Sequence, residues 1–150
     1  MANYLLVANQ TLGGERLTAL LDELLAVGPC SVRLVVPVTD TEGSHQWDYP
    51  PVDRFVPDAH KIARALAEGR LEHELARLLR SGYEATGEVV DADPLARVGE
   101  LLGAEQFDGV IVSTLPRRLS RWLITDLPHR IARSTHVPIT QVESDPGPSL

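Results

Sequence analysis

Five short strand-like runs, most of them rich in valine, isoleucine and leucine, recur along this chain, and each gap between them holds a helix candidate. That alternation constrains the fold more than any other feature. A strand apolar at successive positions is buried on both faces, and parallel strands sandwiched between helices are the structures that bury both. The runs are Tyr4–Ala8, Ser31–Val38, Glu84–Val90, Val110–Val112 and Val137–Val142. The third is more polar and alternating, which suits a sheet edge. Strand and helix in alternation predict a parallel sheet with helices on both faces and right-handed crossovers, a three-layer α/β/α sandwich of Rossmann-like type. The expected strand order of this five-stranded parallel sheet is 3-2-1-4-5.

The helix signals are local. Leu17, Leu20, Leu21, Leu24 and Leu25 form one stripe after the first run. Asp58 suits the N-cap of a helix carrying Ile62, Leu66, Leu71, Leu75, Leu78 and Leu79, which ends at Ser81-Gly82. Asp93 caps a third, with Pro94 in its first position and Leu95, Val98, Leu101 and Leu102 inward. A last helix starts near Thr125 or Asp126, tolerates Pro128 in its first turn and turns Ile131 inward. Residues Thr39–Pro57 break the pattern, because Gly43, Pro50, Pro51 and Pro57 make them a long connection. Two readings of its Trp47, Tyr49 and Phe55 stay open: they fold the loop onto the body, or they form a lid or partner surface. One domain is expected over residues 1–143, with 144–150 as a flexible tail carrying Pro146 and Pro148.

No apolar run is long enough to cross a bilayer, and the chain enters a strand pattern without a positively charged leader, so a cytoplasmic protein off the membrane is expected. The net charge of −7 argues against general binding to nucleic acid. The lone Cys30 reads as a small hydrophobe at a strand start. Charge is unevenly spread: Arg117, Arg118, Arg121, Arg130 and Arg133 face only Asp126 between Leu115 and His136, a basic segment on an acidic chain.

In a sheet of this order the strand sequence reverses between the first and fourth strands, and ligands of open α/β sheets bind there, outside the carboxyl ends. That rule selects Asn9, Thr11, Gly13 and Gly14 after the first strand, and Ser113, Thr114, Arg117, Arg118 and Arg121 after the fourth, with Asp126 at the last helix. Gly13 and Gly14 either free backbone amides for an anion or simply permit a helix start with Thr11 as its cap. The arginines either fork around phosphate or form a solvated face that offsets the acidic chain. His45, His60, His73, His129 and His136 lack metal-ligand spacing, and no nucleophile stands in a triad pattern. Asp91 and Asp93 are accounted for by the cap before Pro94, and Glu68, Glu72 and Glu74 by the solvated face of their helix, with Arg64 supporting it. No catalytic residue or metal ligand is assigned.

The segments Leu5–Ala8, Val90–Val98, Phe107–Val112 and Val137–Val142 together resemble the universal stress protein family, over nearly the whole chain. The resemblance implies that family's adenine-nucleotide alpha-hydrolase-like sandwich, a cytoplasmic role in stress response, and a homodimer, here through Val137–Val142. Nucleotide-binding members carry an aspartate just after the first strand and a glycine-rich loop after the fourth that ends in Gly-Ser at the last helix. Here Asn9 stands in the aspartate's place, Ser113 and Pro116 replace loop glycines, and Asp126-Leu127 falls where Gly-Ser would cradle phosphate. Glycine lets backbone amides approach phosphate, and proline has no amide to offer. The expectation is a binding or regulatory protein with weak or absent ATP binding. The alternatives are a nucleotide-binding or nucleotide-hydrolysing protein with a remodelled loop, holding ATP or another phosphate-containing ligand, and a protein-interaction module.

Overall fold

The computed structural model describes residues 1–38, 59–91, 94–115, 131–132 and 135–147. In chain order these form β1 (Ala2–Val7), α1 (Glu15–Val27), β2 (Cys30–Pro37), α2 (Ala59–Arg80), β3 (Glu84–Val90), α3 (Pro94–Ala104), β4 (Gly109–Thr114) and β5 (Ile139–Glu143). The sheet has the order β3-β2-β1-β4-β5, and every neighbouring pair is parallel. This is the expected α/β topology. The expected loop at 39–57, the caps Asp58 and Asp93, and the start of the last helix near Thr125 lie outside the described residues. Ile131 is fully buried, as an inward position of that helix should be.

Successive side chains of a strand point to opposite faces, so the apolar runs feed two cores at once. On one face Leu6, Ala8, Leu34, Val36 and Ile111 pack with Leu17 and Leu21 of α1 and Ala67, Leu71 and Leu78 of α2. On the other, Leu5, Val7, Val35, Val110 and Val112 pack with Val98 and Leu101 of α3 and with Ile131. The middle strands are buried from both sides, which is why they carry no polar alternation.

The buried stripe of α2 differs from the expected one. Ala63, Ala67, Leu71, Glu74 and Leu78 face inward, whereas Ile62, Leu66 and Leu79 are exposed. The alanines bring α2 close to β2 and β3, and a stripe built from Ala is invisible to a search for large apolar residues. Gly87 of β3 serves the same approach, since a Cβ there would lie 2.6 Å from Leu71 Cδ1 and 2.9 Å from Leu34 Cβ. The expected stop at Ser81-Gly82 holds. Gly82 has a φ of 102°, its N–H donates to Leu79 O, and the Tyr83 N–H donates to Leu78 O, the paired bonds of a Schellman ending.

Glu74 does not belong to the solvated face. It is 1% exposed, and Arg77 donates to both its oxygens, Nε to Oε1 at 2.7 Å and Nη2 to Oε2 at 3.0 Å. Asp91 has a second role beyond any cap: it forms an ion pair with Arg64 Nη1 and meets His60 Nε2 at 3.1 Å. Arg64 in turn donates to Glu68 at 2.9 Å, the expected helical pair. The guanidinium beside it and then the imidazole hold the Asp91 carboxyl below the usual carboxylate range.

After β5 the chain stays in contact with the body. Ser144 is fully buried, its N–H donates to Thr114 O, and the Gly147 N–H donates to Gln10 O. Residues 144–147 of the expected tail thus lie along the loop that follows β1, and 148–150 lie outside the described residues. No helix among the described residues is long and apolar enough to cross a membrane.

Candidate functional site

The strand order reverses between β1 and β4, and their carboxyl ends open a crevice there. Val7, Asn9, Thr11, Pro37, Ser113 and Thr114 are among its lining residues. β4 runs to Thr114, two residues past the apolar Val110–Val112 run, so Ser113 and Thr114 sit inside the sheet's end rather than on a free loop.

Asn9, Thr11, Ser113 and Thr114 therefore come together as the sequence predicts, and all four are buried. The hydroxyls of Thr11 and Ser113 meet at 2.7 Å across the crevice floor, tying the loop after β1 to the end of β4. Thr114 Oγ1 is buried with no hydrogen-bond partner among the described residues. The space that a water can occupy among these residues is about 20 Å³, room for about one water molecule.

Asn9 is held from two sides. Its Nδ2 donates to Pro37 O at 2.8 Å, and its Oδ1 accepts from Arg70 Nη1 at 2.9 Å. The amide orientation follows from these partners, because the nitrogen must face the carbonyl and the oxygen the guanidinium. Arg70, the side chain that holds Asn9 Oδ1, is not singled out in the sequence. It sits on α2, 61 positions from Asn9 in sequence, and reads there as one more solvated helical arginine. From the middle of α2, Arg70 reaches Asn9 at the end of β1.

Gly13 and Gly14 are placed elsewhere. Gly13 takes a φ of 83° to make the turn, a conformation glycine adopts without strain. Gly14 is the N-cap of α1, with no side-chain cap, and its own N–H donates to Thr11 O at 2.8 Å. Thr11 is thus not the cap, because its hydroxyl is spent on Ser113. A Cβ on Gly14 would lie 2.4 Å from Asp145 O and 2.5 Å from Ser144 Oγ, so the segment after β5 occupies the space beside this helix start. Arg117, Arg118, Arg121 and Asp126 lie outside the described residues. Among the described residues no cluster of His, Cys, Asp and Glu could hold a metal ion.

No family model matches this chain, and no curated protein matches it in sequence. Solved structures match it in fold. The hypothetical protein MJ0577 gives a TM-score of 0.62 at 13% identity, covering 94% of each chain. A universal stress protein family protein from Arabidopsis thaliana, with AMP bound, gives 0.60 at 9% identity, covering 97% of this chain and 93% of its own. The universal stress protein from Archaeoglobus fulgidus gives 0.57 at 12% identity, covering 95% and 98%. At these identities the likeness is one of fold: the chain has the α/β sandwich of universal stress proteins over nearly its full length.

Proposed function

We propose that this chain is a universal-stress-protein-like binding or regulatory protein, cytoplasmic and homodimeric. On this reading its β1/β4 crevice receives a small phosphate-bearing ligand and holds ATP weakly or not at all. The observation that carries the reading is the engagement of Asn9 by Pro37 and Arg70 above a floor closed by Thr11 and Ser113. A neutral amide stands where the resemblance expects a carboxylate, and a guanidinium reaches it. The donors gathered around Asn9 favour a negative group. On this reading Asn9, Ser113 and Pro116, where the resemblance expects aspartate and loop glycines, speak against ATP held in the family's usual manner.

A second reading, a nucleotide-binding protein with a remodelled phosphate loop, is favoured by the AMP that the Arabidopsis protein of the same fold carries. Mass spectrometry of small molecules released from freshly purified protein separates the two. A phosphate-bearing compound smaller than ATP supports the first reading, and ATP as the released species supports the second.

A further inference from the structure

We propose that Thr114 is the specificity-determining residue of the crevice, its buried hydroxyl the donor that meets a phosphate oxygen of the ligand; this rests on reading the crevice as a phosphate-ligand site. Thr114 lines the crevice and is 1% exposed, and its Oγ1 has no hydrogen-bond partner among the described residues. A buried hydroxyl left without a partner is destabilising, and what satisfies one is a bound water, ion or ligand. The group is also held in place before any ligand arrives. Thr114 is the last residue of β4 and pairs with Glu143 of β5, while its carbonyl accepts from the Ser144 N–H. Val112, two residues earlier and so on the same face of the strand, lines the crevice too, as does Val7, its register partner on β1.

The other buried polar side chains of the crevice already have partners. Asn9 donates to Pro37 O and accepts from Arg70, and the hydroxyls of Thr11 and Ser113 share one bond. A single bond between two hydroxyls uses one proton and leaves the other O–H to donate elsewhere. The crevice thus presents two neutral O–H donors, that one and the Thr114 hydroxyl, and no described lining residue is charged. A hydroxyl binds a charged oxygen more strongly than a neutral one, so the pair selects an oxyanion over an uncharged group of the same size. The space of about 20 Å³ among these residues suits one oxygen atom, a water's or a phosphate's, and a ligand oxygen that reproduces the water's bonds displaces it without loss.

The test is a thermal-shift series on the full chain in inorganic phosphate against chloride at matched ionic strength, with the natural protein, Thr114→Val and Thr114→Ser. Valine keeps the β-branched shape that suits a strand and removes the hydroxyl, whereas serine keeps the hydroxyl. In chloride, Thr114→Val is expected to melt no lower than the natural protein, because the group it removes has no partner in the fold. Phosphate is expected to raise the Tm of the natural protein and of Thr114→Ser. Thr114→Val should lose most of that increment, with phosphate affinity down roughly ten-fold, as loss of one hydrogen bond to a charged group implies. A merely structural hydroxyl would give the opposite pattern, a lower Tm in chloride and an unchanged phosphate increment.

An undiminished phosphate increment in Thr114→Val, or a loss in Thr114→Ser as complete as in Thr114→Val, overturns the proposal and leaves the phosphate reading of the crevice standing. So does a Thr114→Val that melts well below the natural protein in chloride or fails to fold, since the hydroxyl would then have a structural partner. Calorimetry with AMP and adenosine locates the source of the phosphate. Tighter binding of AMP than adenosine, equalised in Thr114→Val, points to a nucleotide phosphate, and a Thr114-dependent phosphate increment with neither bound points to a free oxyanion; both support the role of Thr114. A preference for AMP that survives in Thr114→Val overturns it. Neither a phosphate increment nor AMP binding in the natural protein would overturn the phosphate reading and this inference together.

Discussion

Glu74 shows how a single residue reverses its sequence reading. Its spacing matches a solvated helix face, yet its carboxylate is buried and gripped by both arms of Arg77. Removing one partner of a buried ion pair leaves the other charge uncompensated, whereas replacing both by apolar residues is often neutral. Arg77→Ala should therefore cost about 3 kcal/mol in urea unfolding, and the double variant Glu74→Met/Arg77→Met should be more stable than Arg77→Ala alone. Nearby, burial and then the neighbouring Cys30 and Asp22 push the Tyr83 phenol up to about 12. A phenol held neutral above its ordinary value of about 10 contributes stability that is complete below pH ~10 and is lost as pH rises toward ~12. Ultraviolet titration should show one phenol ionising late, and Tyr83→Phe should flatten the loss of Tm across that window. Asn9, Thr11, Ser113 and Thr114 were legible in the sequence because the switch-point rule points to strand ends. Arg70 was not, because nothing local distinguishes a helical arginine that reaches a distant loop from one that points to water.

At the scale of elements, close approach of backbones explains what patterning missed. The alanine stripe of α2 and Gly87 of β3 let helix and sheet meet through small residues. Gly87→Ala should force Leu71 and Leu34 apart and cost about 1–3 kcal/mol; an unchanged denaturation midpoint would show that the contact relaxes freely. Gly14→Ala tests the segment after β5 in the same way. Its new methyl would collide with Asp145 O and Ser144 Oγ, so limited proteolysis should cut after β5 faster in the variant than in the natural protein. The strands and α1 were readable to within a few residues, because runs buried on both faces leave a strong signal. The packing of 144–147 was not, since its contacts are made by backbone groups of Ser144 and Gly147 and no side-chain pattern announces them.

The whole molecule follows from strand order. All-parallel pairing in the order β3-β2-β1-β4-β5 leaves one reversal, between β1 and β4, and so one place where two strand-end loops face a common crevice. It also leaves β5 at a sheet edge with Thr140, Gln141 and Glu143 exposed, and a sheet edge is a surface on which another chain can pair. The proposed homodimer uses this edge. Sedimentation at roughly 50 μM, above the Kd of a standard interface, should show a dimer that Thr140→Pro converts to monomer; a monomeric natural protein would contradict it. The central claim, that the crevice keeps the universal stress protein fold while abandoning its usual nucleotide, is tested most directly by calorimetric titration of the natural protein with magnesium-ATP. The account predicts no binding tighter than about 100 μM, and a Kd in the range of about 1–10 μM would contradict it.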